Sequence, residues 1–141
     1  MKTTIRLISA IFLLSISAVS FAEIAIIVHP DNKMDKIEVK QAAQIFLKKV
    51  KKFPVGGKAN PVVQKDGSSV FENFNKIVLK KSASTLKAYW SKVIFTGKAV
   101  PPKTADTDED VIKIVSSDKE AIGYIDSSKV NASVKVILTV K

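Results

Sequence analysis

Residues 64–79, "QKDGSSVFENFNKIVL", decide how this chain is read. From Ser68 onward, Val70, Phe71, Phe74, Ile77 and Val78 fall on one side of a helix, predicted over 68–79. Just before it, Pro61-Val62-Val63-Gln64 has the look of a short strand, so the quoted stretch is a strand end, a glycine turn and a helix mouth. A helix mouth presents unpaired backbone N–H groups and a partial positive charge. Gly67 permits close approach, and the amides of Ser68, Ser69 and Val70 can converge on one anion. The hydroxyls of Ser68 and Ser69 add donors, and Lys65 adds charge. The same residues also satisfy a simpler reading, in which Asp66 or Ser68 caps the helix with its own oxygen.

Working outward, Glu23–Val28 is a short β-branched apolar run ended by His29-Pro30-Asp31-Asn32, which predicts a strand buried on both faces and then a turn. Helical spacing follows over 36–50, and "FPVGGKAN" over 53–60 is a loop. Beyond the quoted stretch, a helix is predicted over 84–95, with Gly97 placed for a left-handed C-terminal cap. Residues 100–103 read as a connector, 108–117 as a short helix, and 121–125 as a strand. Val134, Val136, Leu138 and Val140 alternate on one side of a last strand. This order of elements predicts an α/β fold in which helices flank a mostly parallel sheet.

The first residues carry a targeting signature. Lys2 and Arg6 precede an apolar run from Leu7 to Val19, and Ser20-Phe21-Ala22 supplies small residues for cleavage before Glu23. The expected organisation is a signal peptide over 1–22 and one domain over 23–141, exported to the periplasm, with no membrane span left after cleavage. The chain has no cysteine, so neither disulfides nor a lipidated N-terminal Cys enters. Setting aside Lys2 and Arg6 lowers the basic count from 23 to 21 against 13 acids, a net +8. Such an excess favours anionic partners. An exported protein seldom meets nucleic acid, which leaves small anions, anionic head groups or cell-wall polymers. Lys48, Lys49, Lys51 and Lys52 in "LKKVKKF" read either as a solvated face or as part of such a surface.

Catalysis finds little support. Without cysteine there is no thiol chemistry and no thiolate metal site. His29 is the only histidine, and no G-x-S-x-G turn presents a serine nucleophile. The acidic run Asp106–Asp110 briefly imitates a calcium loop. Val111 and Ser117 stand where that loop needs Gly and Glu, so Thr107 or Asp108 reads as a helix cap instead. No catalytic residue, metal or cofactor is expected, and the protein is expected not to be an enzyme.

Several segments taken together resemble the phosphate-type (PstS-like) substrate-binding proteins of ABC transporters, which have the type 2 periplasmic binding protein fold. They are "IAIIVHPDN", "IEVKQAAQIFLKKVKKFPVGG", "QKDGSSVFENFNKIVL", "YWSKVIFTGKAVPP" and "DKEAIGYIDSS", in the family's order. The resemblance implies a small oxyanion as ligand, held in family members between two α/β lobes. It places Asp66-Gly67-Ser68 on the family's anion-cradling turn, so that Lys65, Asp66, Gly67, Ser68 and Ser69 are the candidate ligand-binding residues. It also implies an ABC permease or another envelope protein as partner. Three departures stand out. Ser69 and Val70 replace the turn's Gly-Thr, Gln64 stands where an arginine is common, and only one lobe's worth of sequence is present. The alternative is an envelope interaction module that has lost the small anion and meets a protein or anionic polymer through its basic surface.

Overall fold

The computed structural model describes residues 22–141. The expected signal segment, 1–22, lies outside the described residues except for Ala22. Among the described residues, no helix is long and apolar enough to cross a membrane.

The elements in chain order are β1 (Ile24–Val28), α1 (Val39–Phe46), β2 (Asn60–Gln64), α2 (Ser69–Phe74), α3 (Ala83–Phe95), β3 (Lys103–Ala105), α4 (Asp108–Ser117), β4 (Ala121–Asp126) and β5 (Lys135–Val140). The strands form one sheet in the order β3-β2-β4-β1-β5. β2 pairs in parallel with β3 and β4, whereas β1 pairs antiparallel with β4 and β5. β1 therefore runs against the other four strands, and the sheet is mostly parallel, as expected.

Both faces of the sheet are covered. Ile24, Ile26 and Val28 pack with Phe46 of α1, Phe71 and Phe74 of α2, and Leu86 of α3. Ala25 and Ile27 point the other way, onto Val111, Ile112 and Val115 of α4. A strand covered on both faces has no reason to alternate, which explains the unbroken apolar run of β1. α4 lies very close to β4. A Cβ built on Gly123 would fall 2.6 Å from a methyl of Val111 and 3.2 Å from one of Val115.

Four elements depart from the sequence reading. The helix expected over 36–50 is only eight residues long. Its start is delayed because the Ile37 N–H donates to the Ile137 carbonyl at 3.1 Å, which ties that residue to β5. Its end comes early because Lys48 turns left-handed at φ 58°, and the amides of Lys49 and Val50 fold back onto the Gln44 carbonyl. The helix expected over 68–79 is α2 followed by a π-helical turn, Asn75–Leu79. The stretch read as a connector, 100–103, runs into β3, a three-residue edge strand whose Lys103 and Thr104 are exposed. Finally, a bulge between Ile26 and Ile27 of β1 shifts the register of β5. Val136 packs with the α4 core, while Ile137, Leu138 and Val140 pack with the other, so the expected one-sided alternation is split.

Candidate anion site

The quoted stretch forms the carboxyl end of β2, a glycine turn and the start of α2. Ligands of open α/β sheets gather outside the carboxyl ends of parallel strands. The end of β2 is firmly fixed there. The Lys65 N–H donates to the Ala105 carbonyl of β3 at 2.9 Å. The Gln64 N–H donates to the Tyr124 hydroxyl of β4 at 3.1 Å. Tyr124 is wholly buried, stacks on Phe74 with ring centroids 3.7 Å apart, and meets Phe46 edge-on. Burial pushes its hydroxyl well above the ordinary tyrosine range, so it stays protonated.

Gly67 holds φ +89°, a backbone state that side chains disfavour, and the space where its Cβ would stand is open. Ser68 is the N-cap of α2, its Oγ accepting from the Phe71 N–H at 3.1 Å. The Glu72 N–H bonds to the Ser68 carbonyl at 3.0 Å. The amides of Ser69 and Val70 have no acceptor among the described residues. Capping and anion binding are therefore not exclusive here. Ser68 Oγ uses a lone pair for the cap, while its proton and the two free amides remain for a ligand. Lys65, Asp66, Gly67 and Ser69 are exposed and Ser68 is half-buried, so the five candidates form one open mouth.

Beside the mouth lies a cavity of about 290 Å³, lined by Asp66, Phe71, Trp90, Lys87 and Thr104 among others. Lys87, from α3, is a second cation near the mouth that sequence reasoning missed, since nothing in the spacing links α3 to this turn. A larger recess, about 790 Å³, mixes Lys48, Lys103 and Lys113 with Asp106, Asp110 and Asp118. Charges of both signs give it no preference for an anion.

Gln64, where the resemblance leads to the expectation of an arginine, lies behind the mouth and lines the adjoining cavity. It is buried, and its Nε2 donates to the Asp108 carboxylate and, at 3.2 Å, to the Tyr124 carbonyl. Burial raises the Asp108 carboxyl above its ordinary pKa, partly offset by the hydrogen bond from Gln64. Asp108 is thus the partner of a buried amide as well as the first residue of α4. Thr107 caps that helix, its Oγ accepting from the Asp110 N–H at 3.1 Å. His29 Nδ1 accepts from the Asp31 N–H at 3.0 Å and serves the turn after β1.

No family model matches the sequence, and no curated protein matches it significantly. Solved structures do match. One is described as a phosphate ABC transporter substrate-binding protein from Clostridium perfringens with bound phosphate. It aligns with a TM-score of 0.67 and 25% identity, over 82% of this chain and 45% of that one. An ABC-type phosphate transport receptor from Vibrio cholerae aligns with a TM-score of 0.64 and 17% identity, over 82% and 46%. PstS from Borrelia burgdorferi aligns at 0.62 and 14%, over 82% and 47%. The chain spans under half the length of each of these. It has the fold of one lobe of the phosphate-type ABC transporter substrate-binding proteins.

Proposed function

We propose that the chain is an exported, non-catalytic binding protein that holds a phosphate-like oxyanion at the mouth of α2. The observation that carries this reading is the pair of free amides on Ser69 and Val70. They follow a glycine turn at the end of a parallel strand, in a fold shared with a phosphate-bound protein. The anion accepts from these amides and from the Ser68 hydroxyl, with Lys65 supplying charge from the turn and Lys87 from α3. Asp66 is the one candidate acceptor for a proton carried by the anion, which is where phosphate and sulfate differ. The mouth is an open shelf in water, so each contact is weaker than inside a closed cleft, and affinity falls as salt rises. Residues 1–22 act as the signal peptide, the periplasm is the destination, and an ABC permease or another envelope protein is the downstream partner.

Isothermal titration of residues 23–141 with phosphate, then sulfate, tests this. Saturable phosphate heat is expected, and Ser68→Asp should abolish it. Aspartate is itself a good helix cap, so that variant keeps the fold while placing a negative charge in the cradle. A folded protein that gives no heat with either anion would leave the turn as a helix cap alone.

A further inference from the structure

The five large apolar side chains left exposed among the described residues are Val50, Val55, Ile94, Phe95 and Val100. Phe95 is 93% exposed and Val100 73%. Isolated exposed apolar residues need no explanation, but these five lie in only two stretches of chain, 50–55 and 94–100. The two stretches are neighbours. The Tyr89 hydroxyl of α3 donates to the Leu47 carbonyl at 2.8 Å. Beside them lies a recess of about 440 Å³, walled by Lys48, Lys49, Lys51, Lys92 and Lys98 around Tyr89, with the five apolar side chains outside its lining. Residues 51–59 form a tight turn, closed by the Ala59 N–H on the Lys51 carbonyl and by Phe53 on Gly57, and buried Phe53 anchors it with Val55 exposed.

The lysines of this face form no ion pair among the described residues, although Lys48 also borders the recess that holds Asp106, Asp110 and Asp118. No Asp or Glu occurs between Glu38 and Asp66, or between Glu72 and Asp106. The ion pairs among the described residues use Lys119, Lys129, Lys135 and Lys141, all outside the face.

We propose that this face seats the protein on an anionic phospholipid bilayer, with the lysines on the phosphates and Phe95, Val100 and their apolar neighbours at the acyl boundary. A polyanion in water would engage the lysines and leave Phe95 without a role. The central part of a protein interface disfavours lysine and favours arginine, and residues 22–141 contain no arginine. A bilayer surface suits both halves of the pattern. Lysine stems lie along apolar surface while the ammonium groups reach the head groups, and aromatic and aliphatic tips sink to the acyl boundary. The recess is walled by different residues from the α2 mouth, so this inference stands apart from the anion site.

Residues 23–141 hold every described element and serve as the protein for the test. They would be sedimented with vesicles of phosphatidylcholine alone, and with vesicles of equal parts phosphatidylcholine and phosphatidylglycerol. Binding is expected only to the anionic vesicles, and it should weaken with salt. Lys51→Gln and Lys98→Gln should each lower the partition coefficient about fivefold. Phe95→Ser should lower it about tenfold or more. All three side chains are exposed, and unchanged melting would verify that the variants fold. No binding to anionic vesicles would overturn the proposal. So would binding that depends on the lysines but not on Phe95 and is displaced by polyphosphate, which would identify a polyanion surface instead.

Discussion

Two amide side chains are buried close to the helix mouth, and they are satisfied very differently. Gln64 gives its protons to Asp108 and to the Tyr124 carbonyl. Asn75, in the π-helical turn, has an Nδ2 with no partner among the described residues. The Gln64 arrangement draws a carboxylate into a half-buried position, and desolvation raises the pKa of Asp108. For a carboxyl with a raised folded pKa, the stabilising contribution is fully present below the unfolded pKa. It is lost as pH rises through the folded value. Asparagine at this position keeps an oxygen for Gln64 and removes the titration. The stability of Asp108→Asn relative to the parent should therefore improve as pH rises above the ordinary carboxylate range, and level off once Asp108 has ionised in the fold. Urea unfolding at several pH values reads this directly. A difference independent of pH would show that Asp108 ionises in the fold as freely as in water.

At the scale of elements, α4 rests on β4 through a gap that only glycine leaves. A methyl group on Gly123 would meet Val111 and Val115, both buried and both stiff at χ1. Gly123→Ala should then destabilise the protein by about 1–3 kcal/mol through overpacking, measured as a fall in the urea midpoint. A change near zero would mean that α4 lifts off β4 without loss. This contact also shows which parts of the fold could be read in advance. The strands β1 and β4 were legible because their burial is written as unbroken apolar runs. α3 and α4 were legible because Gly97, at φ 67°, and Thr107 supply local end signals. The reversed direction of β1 was not legible, because a strand buried on both faces looks the same either way. β3 was missed because its existence depends on pairing with β2, not on any pattern of its own. The early end of α1 rests on Lys48 adopting a left-handed conformation that no glycine announces. At the site, the turn, its cap and its open amides could be read from Gly67 and Ser68. The removal of Gln64 into the interior depended on Asp108 and Tyr124, far away in sequence, and was invisible.

Charge is the property that belongs to the whole molecule. Residues 23–141 carry a net +8, and the lysines of the face between α1 and α3 form no ion pair among the described residues. Like charges gathered on one side repel one another, and added salt screens them within about 8–10 Å. The melting temperature should accordingly rise when sodium chloride is raised from low to moderate concentration, a nonspecific effect. Phosphate adds a second, specific effect if the mouth of α2 binds it. At matched ionic strength, a ligand at about 100 times its dissociation constant stabilises the folded state by about 2.7 kcal/mol. Phosphate should therefore raise the melting temperature above the chloride baseline. Ser68→Asp should remove that increment while leaving the chloride response intact, because the face responsible for repulsion lies elsewhere. If phosphate and chloride give one common curve in the parent protein, the anion acts only as a screen and the shelf at Gly67–Ser69 holds nothing.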